Sequence, residues 1–222
     1  MSEIIERNIG KWIIFSIVFL MSGMLVWSAL ENGVQVLKWG KIEAAWLRYV
    51  EEPNRENAES LCRLIPRQAK IAKGDHKTWV RIVNLIQGKL DVLEKQVSKG
   101  HKTSLKLAFH LLEISDGAFA EELIFIIGNS IKKHPRQFLR TLSQFPNRIE
   151  GTLNAFLSNS HPEFYGIPTV ELSILKTRKK RLATVKDPNL QPLKQQCITA
   201  IDKLIEDIRK TQPQTQAPTK KN

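Results

Sequence analysis

The chain has 222 residues, with 34 Lys and Arg against 22 Asp and Glu, a formal charge of +12 and two cysteines. Without an apolar N-terminal segment and its leader, about 190 residues remain, enough for one domain with a sizeable core. The positive balance favours anionic partners. No GxSxG, P-loop, GxGxxG, CxxC or HExxH occurs, so no motif-borne hydrolase, nucleotide, redox or zinc chemistry announces itself.

In chain order, residues 1–11 form a tail in which Glu3 and Glu6 offset Arg7 and Lys11. Residues 12–30 follow without a charge: Trp12, Ile13, Ile14, Phe15, Ile17, Val18, Phe19, Leu20, Met21, Met24, Leu25, Val26 and Trp27 are interrupted only by Ser16, Ser22 and Gly23 before Ser28, Ala29 and Leu30. As a helix this run spans about 28 Å, close to the hydrocarbon thickness of a bilayer. The segment therefore reads as a transmembrane anchor. A cleaved secretory signal is the alternative, although the neutral leader, the long apolar core and Trp27 at the cleavage region all depart from that pattern. A buried helix of a soluble core is a third reading. Lys and Arg are nearly balanced on the two sides, with Arg7 and Lys11 before the segment and Lys38, Lys41 and Arg48 after it. The short N-terminal tail puts the body outside the cytoplasm, as a single-pass membrane protein or, after cleavage, as a secreted or periplasmic one.

Residues 31–210 read as helix after helix. A helix over 34–50 continues from the membrane segment until Pro53 stops it. Asn54 caps a short helix with Ala58, Leu61, Cys62 and Ile65 on its inner face, ended by Pro66. From Asp75 to Gly100 the spacing of Trp79, Ile82, Ile86, Leu90, Leu93 and Val97 predicts one long helix. Thr103 begins LKLAFHLLEI, and Asp116 and Gly117 turn into AFAEELIFIIGNSI. Pro135 opens RQFLRTLSQF in a first helical turn, Pro146 ends it, and 149–157 is a further short helix. After the loop HPEFYGIP, Thr169 caps VELSILKTRKKRLATV. Pro188 and Pro192 open the last helix, with Leu193, Cys197, Ile201, Leu204 and Ile208 as its stripe. The tail 211–222 lacks apolar residues and reads as disordered. No alternating strand pattern appears, so the expected fold is all-α: an N-terminal apolar helix followed by an irregular helical bundle or a short repeat array.

The helices around Trp79–Val97 and Leu105–Ile114, and those around Phe119–Ile131 and Phe138–Phe145, form two similar pairs offset by 40 residues, Trp79 to Phe119. The stretch SDGAFAEELIFIIGNSIKKHPRQFLRTL resembles helix-turn-helix units of HEAT-like bacterial proteins with no known activity. The resemblance covers about 70 residues, has no invariant motif and implies a fold class only.

Candidate chemistry is sparse. His110 within an apolar helix and the adjacent Glu121 and Glu122 are the only acid-base candidates; a structural histidine and two helix-dipole carboxylates are the competing readings. Neither a cofactor nor a metal is expected, and the five histidines lack ligand spacing. Cys62 and Cys197 read as small apolar residues, with a disulfide as the alternative. From Lys176 to the C-terminus there are 12 basic and 4 acidic residues, and Lys176, Arg178, Lys179, Lys180 and Arg181 crowd one helix. Those five are the candidate contact to an anionic lipid surface, with a solvated helix face as the alternative. No aromatics interleave with them, which argues against a nucleic-acid reader. The reading is a membrane-anchored binding or scaffold module with a protein partner, not an enzyme, and no small-molecule substrate can be named.

Overall fold

The computed structural model describes residues 37–65, 75–159 and 166–211. The chain divides into two units, Met1–Val36 and Leu37–Asn222. The first, with the apolar segment Trp12–Leu30, lies outside the described residues. So do residues 66–74, most of the HPEFYGIP loop and the tail from 212. Among the described residues there is no strand, and no helix is long and apolar enough to cross a membrane.

Ten α-helices and one 3₁₀ turn make up the described body. The first, α1 (Trp39–Glu51), buries Trp39, Ile42, Ala45, Trp46 and Tyr49 at helical spacing. It does not continue a helix from residue 34 through Leu37: Lys38 has a non-helical backbone, and Leu37 turns into the core. In α2 (Arg55–Leu64) the Asn54 cap is present, its Oδ1 accepting from the Asn57 N–H at 2.9 Å.

The long helix expected from Asp75 to Gly100 is two, α3 (His76–Gln87) and α4 (Leu90–Ser98). The break falls at Gly88, the weakest helix former in the run, where the Lys89 N–H reverts to a tight bond with the Ile86 carbonyl. The apolar stripe keeps its phase across the break, so periodicity alone does not reveal it. Asp75 precedes α3 without a side-chain cap bond. At the end of α4, Gly100 adopts φ +86°, and a Cβ there would stand 2.8 Å from the His134 ring.

The next helix, α5 (Lys102–Leu111), is buried on nearly every side through Ser104, Leu105, Leu107, Ala108, Phe109, His110 and Leu111. It packs against α2, α4, α6 (Gly117–Lys133) and α7 (Pro135–Leu142). α8 (Pro146–Ser158) and α9 (Pro168–Ala183) follow, then the 3₁₀ turn Pro188–Leu190 and α10 (Gln191–Thr211). Pro146 does not end α7, which stops at Leu142; it sits in the first turn of α8. Similarly Pro168, not a Thr169 cap, opens α9. In each case the missing N–H and fixed φ suit a first helical turn. Phe109, Phe145 and Phe156, with ring centroids 5.0 and 5.4 Å from Phe109, join α5 to the start and the end of α8. Of the two similar pairs seen in sequence, the first thus comprises three helices, α3 to α5, and the second two, α6 and α7.

Candidate functional site

The five basic residues expected on an anionic surface do not form one face. Arg178 is 3 % exposed. Its Nη1 donates to the Leu157 carbonyl at 2.8 Å and its Nη2 to the Asn159 carbonyl at 2.9 Å. These carbonyls close the C-terminal end of α8, where a cation also complements the helix dipole. Burial pushes the guanidinium down to about 10. Arg178 is therefore an interior capping residue and leaves the surface set. The physical reason lies in its phase: it stands three residues after Leu175 and four before Leu182, both fully buried. Lys179 pairs with Asp202 of α10, and Arg181 Nε donates to the Lys132 carbonyl at 2.7 Å. Lys176 and Lys180 remain exposed.

Charge converges elsewhere, in a cleft of about 1140 Å³. α2 contributes Glu59, Cys62 and Arg63; α5 contributes Lys102, Thr103, Lys106 and His110. The α6–α7 junction and α7 add Lys133, His134, Arg136, Gln137, Arg140 and Thr141, Gln144 follows just after α7, and the stretch from Thr184 to Pro188, at the start of the 3₁₀ turn, completes the wall. Among the described residues, seven cations, Arg63, Lys102, Lys106, Lys133, Arg136, Arg140 and Lys186, thus face two acids.

Both acids are already engaged. Asp187 Oδ2 accepts from Arg136 Nη2 at 3.0 Å and from Arg140 Nη2 at 2.9 Å. The Arg136 hydrogen bond, reinforced by Arg140, holds the Asp187 carboxyl below the usual carboxylate range. Glu59 accepts from Arg55 Nε at 2.7 Å, and this bond, with further help from Arg63 and Lys106, holds its carboxyl low too. Among the described residues, Arg63, Lys102, Lys106, Lys133 and Lys186 make no ion pair. Among the described residues that line the cleft there is no Leu, Ile, Phe, Tyr or Trp; its apolar surface comes from Cys62, Pro135, Val185 and Pro188 and from the stems of the long side chains.

The acid-base candidates are not brought together. His110 lines the cleft, but its Nδ1 donates to the Ile65 carbonyl at 2.6 Å and its ring stands edge-on to Phe145 at 5.3 Å. With a carbonyl as acceptor, Nδ1 carries the proton. Glu121 and Glu122 do not line the cleft; they are exposed on α6, beyond its first turn, with Glu122 accepting from Gln87 Nε2 at 2.7 Å. Cys62 and Cys197 are free and buried, and burial pushes each thiol up to about 12. Among the described residues no three His, Cys, Asp or Glu side chains are grouped to hold a metal ion.

None of the seven cleft cations was a sequence candidate. The signals present were the one-turn pairs Lys102/Lys106 and Arg136/Arg140; their convergence depends on the α2–α5 and α5–α7 packing.

Fold and cleft define an all-α body with a basic concavity. The sequence matches no family model, and no curated protein or solved structure is similar to it.

Proposed function

We propose that the chain is a membrane-anchored α-helical binding module, in the manner of a short HEAT-like scaffold, that recognises an anionic partner through the basic cleft. The charge imbalance of the cleft carries the reading: seven cations face two carboxylates that already have partners. Uncompensated like charge in a concave wall raises the local potential and steers an oppositely charged ligand. Binding is favoured over catalysis because His110 is held by a backbone carbonyl and both cleft carboxylates by arginines. The Trp12–Leu30 run supports anchoring, with the body outside the cytoplasm. Lys176 and Lys180 are the residues of α9 left to lean on anionic headgroups.

The test uses the full-length chain in neutral detergent on a sulfated-polymer column. Arg63→Gln/Lys106→Gln/Arg140→Gln is expected to elute at clearly lower salt than wild type, and Lys176→Gln/Lys180→Gln close to wild type. Co-elution of the cleft variant with wild type would remove the cleft from the function. In parallel, the full-length chain is expected to stay with membranes after carbonate washing; intact chain in the soluble fraction would defeat the anchor.

A further inference from the structure

The cleft already holds a carboxylate, and how it does so bears on what else it could hold. Asp187 reaches Arg136 and Arg140 from a short non-helical stretch, and its own backbone lies in the extended region at φ −63° and ψ 116°. One carboxylate oxygen takes a hydrogen bond from each arginine. The side chain of Asp187 is 8 % exposed, whereas those of Arg136 and Arg140 are 61 % and 49 % exposed, so both guanidiniums keep open faces.

We propose that the occupant of the cleft is an extended acidic segment of a partner protein, held by carboxylates on alternate residues. The inference rests on the reading of the cleft as the binding surface. Lys102 and Lys106 on α5, and Arg136 and Arg140 on α7, are pairs one helical turn apart, with Cβ atoms about 5–6 Å from each other. Side chains on one face of an extended chain recur about every 6.6–6.8 Å, within reach of these long cations. Carboxylates at alternate positions therefore come within reach of successive cations of a pair, and Asp187, which bridges Arg136 and Arg140 with one oxygen, shows that both arginines turn towards a carboxylate in the cleft. Thr103, Gln137 and Gln144 offer both donors and acceptors to the amides of such a segment. A bilayer plane does not follow a concave wall, and among the described lining residues there is no Phe, Tyr or Trp on which a base would stack, while the His110 ring is held edge-on to Phe145.

The probe is a labelled peptide of strictly alternating Glu and Thr. Its isomer repeats Glu-Glu-Thr-Thr, which spreads the same carboxylates over both faces of an extended chain. Anisotropy titrations use the full-length chain in neutral detergent at low salt. The alternating peptide is expected to bind roughly 5-fold tighter than its isomer, because more of its surface ion pairs form together. That preference is expected to vanish in Lys102→Gln/Lys106→Gln and in Arg136→Gln/Arg140→Gln. Asp187→Asn, which retains a side-chain acceptor for the 3₁₀ turn, is expected to bind the alternating peptide a few-fold tighter, roughly 3-fold. Far-UV circular dichroism shows whether each variant keeps its helices. Equal binding of the two isomers by wild type, lost in the double variants, would overturn the peptide inference and leave the basic cleft standing. Tighter binding of phosphatidylglycerol vesicles or duplex DNA than of the alternating peptide would also overturn it. Binding unchanged in every variant, or absent in all, would take the cleft reading down as well.

Discussion

Arg178→Met keeps most of the length and apolar volume of the side chain while deleting the guanidinium. The residue makes two charge-assisted hydrogen bonds to the end of α8, at 2.8 and 2.9 Å. Such bonds contribute about 1.5–3 kcal/mol each. The lower end applies, because burial has already pushed the guanidinium down to about 10, which marks a substantial desolvation cost. Two bonds at that end give a destabilisation of about 3 kcal/mol. In a body of this size that lowers Tm by about 6–12 °C. Arg178→Lys keeps the charge but not the fork, and is expected to lose about half as much. Thermal unfolding of the full-length chain in neutral detergent, followed by circular dichroism, measures both. A shift for Arg178→Met below about 2 °C would refute the capping role. A loss of binding to anionic vesicles with unchanged Tm would restore Arg178 to the surface.

Gly128→Ala tests the same corner of the core from α6. The added methyl would stand 2.6 Å from the Phe156 carbonyl oxygen and 3.1 Å from Arg178 Nη2. Backbone on one side and a fixed guanidinium on the other leave little room, so a loss of about 1–3 kcal/mol is expected in chemical denaturation. Neither Cys62 nor Cys197 is expected to react with a thiol reagent near pH 8 until the body unfolds, since burial pushes both up to about 12; rapid native labelling of either would contradict their packing. Burial likewise pushes Tyr49 up to about 12, opposed by its bond to Ser104 at 3.0 Å. The neutral phenol is favoured in the fold, so its contribution is full below about pH 10 and is lost as pH rises towards 12, by about 3 kcal/mol. Tyr49→Phe should flatten that alkaline loss in denaturation curves, and an unchanged slope would show that the phenol is already solvated.

Local chemistry was readable where the reason was local. The Asn54 cap, Pro135 in its first turn and the stripes of α2 and α3 were visible because the reason is close in sequence; in α10 Cys197 and Ile201 are buried as expected, but the third buried residue is Ile205, with Leu193, Leu204 and Ile208 only partly covered. The division at Gly88 was not, since Ile86 and Leu90 keep the spacing of an unbroken helix. Arg178 was legible in principle: its phase between Leu175 and Leu182 pointed inward, but the cluster of charges around it outweighed position. The cleft was beyond reach for a different reason. Arg63, Lys106, Arg140 and Lys186 come from α2, α5, α7 and the segment after α9, and only packing decides that they share a wall. The fold class rested on periodicity, which is a property of each helix taken alone; the site is a property of three helices and a non-helical segment at once.

Because α5 is enclosed by α2, α4, α6 and α7, it meets the cleft along the strip that carries Lys102, Thr103 and Lys106 and ends at the buried His110. Those cations are mounted on a backbone with almost nowhere to go. An arriving chain must surrender its own freedom, but this half of the cleft has surrendered its share during folding, which lowers the entropy lost on association. Affinity gained in this way resides in off-rate more than on-rate. Substitutions that loosen the rear of α5, such as Leu107→Ala or Phe109→Ala, would shorten the lifetime of a complex whose contacts they never touch.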